Sequence, residues 1–155
     1  MRVFLDSSLP IEYLKGSRKD KDLLKHLLKL DIELVIDHTV FSEFMFNFLT
    51  IRGKKSGLAI KESKLISALI GEYAPQNLLS EFRLLSPASD LQDEVIRLMN
   101  QYNLLPNDAL ILAHCLDEPF EFVASYDSDF VIPCQKEGIT LIDSIESFQR
   151  LFLIG

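Results

Sequence analysis

The segment Val3-Phe4-Leu5-Asp6-Ser7-Ser8 decides the fold of this chain. Its three consecutive apolar residues show no polar alternation, which is typical of a strand covered on both faces in a parallel sheet. Similar short runs, each followed by a turn or helix-cap signal, predict further strands over residues 34–36, 82–85, 122–124 and 139–142. We therefore predict five strands, with residues 3–5 and 122–124 at the centre of the sheet.

Longer helical patterns lie between these strands, over residues 9–14, 21–30, 39–50, 55–73, 91–102, 107–116 and 144–152. Strands that alternate with helices favour an α/β fold with a mainly parallel sheet. The 155 residues, of which 48% are hydrophobic, are expected to form one domain over residues 1–155. Ligands of such folds bind beyond the carboxyl ends of the strands, so functional side chains are expected there.

Four acids follow the predicted strands: Asp6, Asp37, Asp127 and Asp143. Carboxylates gathered at one edge of a sheet repel each other, and a hard cation that takes oxygen ligands removes this cost. The pattern therefore predicts a Mg²⁺ or Mn²⁺ site. Asp37 and Asp143 stand directly before helices, where Asp commonly caps the first turn, so capping is the alternative for these two.

Polar residues on two predicted helices are further candidates. Glu43 and Asn47 share the polar strip of a helix whose core stripe is Phe41, Phe44, Met45 and Phe48. That strip is either a solvent-facing surface or part of a site. Asp108 lies in the first turn of an otherwise apolar helix, where it either complements the helix dipole or faces a site. His114 on the same helix is expected to be a hydrogen-bonded core residue.

The overall charge excludes one class of nucleic-acid binder. With 16 basic and 23 acidic residues the net charge is −7, so the chain cannot bind a polyanion by bulk positive charge. Residues 1–64 nevertheless hold twelve basic and nine acidic residues. The basic residues that could flank an acidic site, or simply be solvated, are Lys15, Arg18, Lys19, Lys21, Lys25, Lys29, Arg52, Lys54, Lys55, Lys61 and Lys64.

The two cysteines, Cys115 and Cys134, form no CxxC pair and are too few for a disulfide scaffold or a cysteine zinc site. Asp6 interrupts the first apolar run well before it could span a membrane or serve as a signal peptide. We expect a cytoplasmic protein with reduced thiols and no membrane association.

Four segments, in this order, resemble the motifs of PIN domains. They are Val3-Phe4-Leu5-Asp6-Ser7-Ser8, Val40-Phe41-Ser42-Glu43-Phe44, Asn107-Asp108-Ala109-Leu110-Ile111-Leu112-Ala113 and Val123-Ala124-Ser125-Tyr126-Asp127-Ser128-Asp129-Phe130. The resemblance implies a three-layer α/β/α fold around a mainly parallel sheet of about five strands. Ser7 stands where the family often has Thr, which preserves the hydroxyl group.

The resemblance also implies roles for particular residues. It gives Asp6, Glu43, Asp108 and Asp127 as the catalytic acids, with Asp6, Asp108 and Asp127 as metal ligands. The supporting residues that it implies are Ser7, Asn47, Ser125 and Asp129. Asp37 and Asp143 remain as caps.

In its compact size the chain is most similar to the VapC-type toxins. This similarity implies a Mg²⁺- or Mn²⁺-dependent endoribonuclease that cleaves single-stranded RNA. It also implies a homodimer and a VapB-like antitoxin partner. The alternatives are an RNA-processing PIN nuclease without an antitoxin, and a catalytically silent PIN-like module that binds RNA or protein. A haloacid-dehalogenase-like phosphotransferase also begins with a strand that ends in Asp, but it requires a second Asp where this chain has Ser8.

Overall fold

The computed structural model of the chain describes residues 1–16 and 18–152, and for residues 18–22 it describes the backbone alone. Five strands are present: β1 (Arg2–Leu5), β2 (Glu33–Asp37), β3 (Arg83–Leu85), β4 (Phe122–Ala124) and β5 (Thr140–Ile142). The helices are α1 (Ser8–Lys15), α2 (Arg18–Leu27), α3 (His38–Gly53), α4 (Gly57–Glu62), α5 (Ile66–Tyr73), α6 (Gln76–Leu79), α7 (Gln92–Tyr102), α8 (Pro106–Asp117), α9 (Val131–Glu137) and α10 (Ile145–Phe152). A short 3-10 helix, Ser128–Phe130, precedes α9.

The five strands form one parallel sheet in the order β3-β2-β1-β4-β5. Phe4 of β1 lies opposite Val35 of β2 on one side and Val123 of β4 on the other. The prediction of a five-stranded parallel sheet with β1 at its centre is confirmed. Because all strands run the same way, the carboxyl ends of β2, β1 and β4 lie side by side at one edge.

The central strand is buried on both faces, as its apolar run predicts. Val3, Phe4 and Leu5 have no exposed surface. The Phe4 ring packs edge to face against Phe120, with 5.3 Å between the ring centroids. Helices flank the sheet, which gives the three-layer α/β/α architecture, and the largest core cluster contains residues from β1, β2, β4 and α8.

The helix predicted over residues 55–73 is wrong as one element, because the chain breaks it into α4 and α5. Lys64 takes the left-handed conformation, with φ 55°, and Leu65 N–H donates to the Ile60 carbonyl over 3.1 Å. This pattern ends a helix after α4. The short helices α6 and α9 were not predicted. Helix α6 has only four residues, and α9 has seven with Pro133 in its first turn, so that it resembles a loop in sequence.

Asp37 is a helix cap, which confirms the second of its two predicted roles, metal ligand or cap. Its Oδ1 accepts a hydrogen bond from Val40 N–H at 2.8 Å, at the start of α3. Its Oδ2 contacts Nδ1 of the buried His114. His114 is therefore a core histidine, although its Nε2 has no partner among the described residues.

Asp143 does not cap α10. The Ser147 N–H donates to Ser144 Oγ over 3.1 Å, so the hydroxyl of the following residue occupies the cap position. Asp143 Oδ1 instead accepts a hydrogen bond from the Ser144 hydroxyl. The prediction placed the cap one residue too early because Asp and Ser are both good capping residues.

Both cysteines are free and buried. Burial raises the pKa of the Cys134 thiol to about 12 and holds that of Cys115 well above its usual value, so both are protonated at neutral pH. Among the residues that the structure describes, no helix is both long enough and apolar enough to cross a membrane.

Substitution of the central aromatic residue tests the core assignment. Phe4→Ala is expected to lower the free energy of unfolding by about 3–5 kcal/mol, because it leaves a cavity beside Phe120 in a fully buried site. The measurement is urea unfolding followed by circular dichroism. Ile96→Ala, at a side chain on α7 that is 64% exposed, should change the same quantity by no more than about 0.5 kcal/mol. Equal losses in the two variants would contradict the assignment.

Candidate metal centre

Three carboxylates meet at the carboxyl edge of the sheet. Asp108, Asp127 and Asp129 each offer one oxygen, and these oxygens lie within 4.8 Å of one another. Asp108 lies in the first turn of α8, while Asp127 and Asp129 follow β4. The Asp129 N–H donates to Asp127 Oδ1 over 2.8 Å, which fixes the turn that presents both side chains.

Asp6 lies directly after β1 and is buried, with 3% of its surface exposed. Its Oδ2 accepts a hydrogen bond from the Ser125 hydroxyl at 2.7 Å and one from Ser8 N–H at 3.2 Å. The Ser125 Oγ also accepts from Asp127 N–H at 3.0 Å. A single buried hydroxyl therefore joins the acid after β1 to the acid-bearing turn after β4.

The electrostatics show that the acids act on one another. The pKa of Asp108 is raised to about 6, first by partial burial and then by the negative charges of Asp127, Asp6, Glu43 and Asp129. Burial also raises the pKa of Asp6, against the opposing effect of its hydrogen bonds from serine residues. Four other carboxylates thus lie close enough to Asp108 for their charges to oppose its ionisation.

Glu43 approaches this volume from α3. Its Oε1 accepts a hydrogen bond from Asn107 Nδ2 at 2.7 Å, so the first turn of α8 orients the carboxylate. Asn47, one turn further along α3, donates to the backbone carbonyl of Glu43 at 2.9 Å rather than to its side chain. Ser7, Glu43, Asn47 and Asn107 all line one cavity beside the acids.

The structure brings the sequence-predicted acids to one edge of the sheet, but the three mutually close carboxylates are not the three that were predicted as metal ligands. Asp129, predicted as a supporting residue, lies among the three mutually close carboxylates together with Asp108 and Asp127. Asp6 is not in that group of three, but its charge acts on Asp108. Ser125 contacts Asp6 as a supporting residue would, whereas Ser7 and Asn47 line the neighbouring cavity.

Two polar residues at the centre were not predicted. The Ser8 Oγ accepts from Tyr126 N–H at 3.0 Å and lies 3.4 Å from Ser125 Oγ, so it connects the ends of β1 and β4. Asn107 orients Glu43. The sequence signal was available in each case, since Ser8 is the second hydroxyl residue after Asp6 and Asn107 immediately precedes Asp108.

The donor set fits a divalent cation that prefers oxygen ligands. Asp108, Asp127 and Asp129 have carboxylate oxygens close enough together to hold it, and the charge of Asp6 acts on Asp108. Histidine and cysteine are absent from this group, so its donors suit a hard cation better than zinc.

Removal of one charge tests the repulsion between these acids. Asp108→Asn is expected to raise the Tm of the metal-free protein at pH 7.5, on the order of 2–4 °C, because ionised Asp108 is less favourable in the folded than in the unfolded chain. The effect is limited because the carboxylate is half-buried and solvent screens part of the repulsion. Differential scanning calorimetry with a chelator measures it.

The matched control for this variant is Asp143→Asn, which neutralises an exposed acid after β5 and should leave the Tm nearly unchanged. Mn²⁺ should raise the Tm of the unmodified chain more than that of Asp108→Asn, because binding to the folded state stabilises it. A lower Tm for metal-free Asp108→Asn would contradict the electrostatic account.

Comparison with known proteins identifies the family of this chain. The sequence model of the PIN domain matches residues 3–133. The chain is 29% identical over 133 residues to "Ribonuclease VapC2" of Methanocaldococcus jannaschii, covering 83% of this chain and 87% of that protein. It is also 29% identical over 137 residues to "Ribonuclease VapC6" of the same organism, covering 83% of this chain and 90% of that protein.

Solved structures share the fold at lower sequence identity. A toxin-antitoxin complex from Klebsiella pneumoniae aligns with a TM-score of 0.59 at 20% identity, covering 89% of this chain and 95% of that chain. VapBC2 from Rickettsia felis, bound to a DNA fragment from its promoter, aligns with a TM-score of 0.57 at 17% identity, covering 92% and 98%. Because the matched segment spans most of the sequence and contains every acid of the centre, the chain belongs to the PIN domain family.

Proposed function

We propose that this protein is a metal-dependent endoribonuclease that hydrolyses single-stranded RNA and is the toxin of a toxin–antitoxin pair. The observation that carries the proposal is the convergence of Asp108, Asp127 and Asp129, with Asp6 and Glu43 beside them, at the carboxyl edge of the sheet. Mutually repelling carboxylates destabilise a domain that only binds a partner, whereas they suit one that holds Mg²⁺ or Mn²⁺.

The residues of the centre have separate roles in the proposed reaction. Asp108, Asp127 and Asp129 would hold the cation, which would act as a Lewis acid on the phosphodiester and lower the pKa of a water bound to it. Ser125 and Ser8 hold the Asp6 carboxylate so that its charge faces Asp108. Asp127 keeps its oxygen in place by accepting from the Asp129 N–H.

Glu43 is suited to move the proton. Its Oε1 is engaged by Asn107, which leaves Oε2 to accept a proton from the attacking water. The oxygen of that water adds to phosphorus and the P–O ester bond to the leaving oxygen breaks. The leaving oxygen takes a proton from solvent water, and Glu43 releases the proton it accepted to solvent. Asn107 thereby acts as a positioning residue, since it fixes the direction of the carboxylate without contacting the phosphate.

Several observations support the biological part of the proposal. The named relatives are ribonucleases, and the solved structures with this fold are toxin–antitoxin complexes. We propose a VapB-like antitoxin and a second copy of the chain as partners. A cytoplasmic location suits an RNA substrate, and the two free cysteines suit a reducing compartment.

A cleavage assay tests the reaction. The purified chain should cleave single-stranded RNA internally in Mg²⁺ or Mn²⁺ and stop when EDTA is added. Asp6→Asn and Asp108→Asn should each lower the rate at least about 100-fold, because even residues that only support a metal ligand contribute about 10–100-fold. The measurement is single-turnover cleavage of an end-labelled RNA, with folding checked by circular dichroism.

Asp143→Asn is the control, since it removes a strand-end acid that lies outside the cluster and should retain full activity. Cleavage that persists in EDTA, or a fully active Asp108→Asn variant, would overturn the proposal. A folded chain that binds Mn²⁺ and RNA but cleaves no RNA would favour the silent binding module instead.

A further inference from the structure

A cavity of about 460 Å³ lies beside the carboxylate cluster, between α1, α3 and the start of α8. This is within the range of about 300–1,000 Å³ that small-molecule sites occupy. Its walls continue the catalytic centre, because Ser7 follows Asp6 and Asn107 precedes Asp108, and Glu43 lines it directly. A group bound here is therefore adjacent to the acids.

One aromatic side chain on this wall is unusually exposed. Phe46 lies on α3 three residues after Glu43, on the same face of the helix, and 60% of it is exposed. A ligand that covers this ring would remove its apolar surface from water, which is favourable for binding. The core stripe predicted for this helix did not include Phe46, and Phe41 of that stripe is itself 39% exposed.

The Phe46 ring is also held in position. A Cβ atom built on Gly57, at the start of α4, would lie 2.8 Å from Phe46 Cε2 and 3.3 Å from Cζ. Only glycine permits this approach without displacement of the ring. The edge of the ring therefore rests on the α4 backbone, while the ring remains largely exposed to solvent.

The surroundings of Phe46 indicate a nucleobase as its ligand. Exposed aromatic rings stack unpaired bases in single-stranded RNA, independently of base pairing. The Ser7 and Ser42 hydroxyls line the cavity and have no hydrogen-bond partner among the described residues, so they can bond to the edge of a base. Lys54 and Lys55 follow α3, are exposed, and form no ion pair with a described residue, so they can contact phosphates beyond it.

An apolar helix of a protein partner fits this wall less well. It would bury the Glu43 carboxylate and the two serine hydroxyls against an apolar face, which costs free energy unless each group gains a partner. A base instead supplies hydrogen-bonding atoms at its edge and an apolar face toward Phe46.

We propose that Phe46 stacks the nucleobase next to the scissile phosphate, in the cavity formed by Ser7, Ser42, Glu43 and Asn107, and that Gly57 positions its ring. The inference rests on the proposed ribonuclease function and adds a substrate-binding residue to it. Phe46 binds substrate through its ring, whereas Gly57 acts only through Phe46.

The chain contains no tryptophan, so Phe46→Trp introduces a single fluorescent reporter at the site. Its emission should be quenched by a six-nucleotide single-stranded RNA in Ca²⁺ and unaffected by a ribose-phosphate oligomer of the same length that lacks bases. Ile96→Trp, at an exposed position on α7, is the matched single-tryptophan control and should not be quenched.

Two further variants separate stacking from general damage. Phe46→Leu should raise the KM for RNA cleavage about 5–150-fold, as expected for loss of one stacked base, while Phe46→Tyr, which keeps an aromatic face, should raise it less than Phe46→Leu does. Gly57→Ala should raise KM in the same direction by displacing the ring. None of these changes should alter the affinity for Mn²⁺, which is measured by isothermal titration calorimetry.

The outcomes separate the two proposals. Quenching by RNA but not by the abasic oligomer, with a raised KM for Phe46→Leu, supports stacking. An unquenched Phe46→Trp, or an unchanged KM in Phe46→Leu with cleavage intact, overturns the stacking inference and leaves the nuclease proposal standing. Base-dependent quenching in a chain that shows no cleavage would support the stacking site and count against the nuclease.

Discussion

The structure of the centre depends on one buried hydroxyl, that of Ser125. It donates to Asp6 Oδ2 over 2.7 Å and accepts from Asp127 N–H over 3.0 Å, and so it connects the ends of β1 and β4. The hydroxyl donates its proton in one hydrogen bond and accepts through a lone pair in the other, at a buried position that excludes water. Without this link, a buried carboxylate at the end of the central strand would lack its best donor, and the turn that presents Asp127 would lose its anchor.

The parallel sheet explains why acids collect at this edge, and local hydrogen bonds explain which of them belong to the carboxylate cluster. Asp37 also lies at the carboxyl end of a central strand, but Val40 N–H and His114 engage its two oxygens. Asp108 remains half-buried and carries a raised pKa, first because of this burial and then because four other carboxylates act on it. The net charge of −7 therefore includes a local concentration of negative charge that a cation can neutralise, while Lys54 and Lys55 lie exposed just before α4, whose Gly57 approaches Phe46.

The sequence predicts the fold more completely than the site. The apolar runs located all five strands, because a strand buried on both faces leaves a compositional pattern, whereas α4 and α5 were joined since nothing in the sequence marks Lys64 as left-handed. The predicted acids do lie at one edge of the sheet, but the placement of Asp129 among the three mutually close carboxylates depends on a turn geometry that spacing does not determine. Ser8 and Asn107 were missed because their roles consist of hydrogen bonds between distant segments. The basic side chains of Arg18, Lys19 and Lys21 lie outside the described residues, so their predicted role stays a prediction.

The central claim is that the carboxylates at the edge of the sheet hold a divalent cation. The most direct measurement is an anomalous difference map from a crystal of the protein grown in Mn²⁺. The account predicts a manganese peak in contact with carboxylate oxygens of Asp108, Asp127 and Asp129, and its loss in Asp108→Asn. Manganese bound only elsewhere on the protein, with no peak among these three side chains, would contradict it.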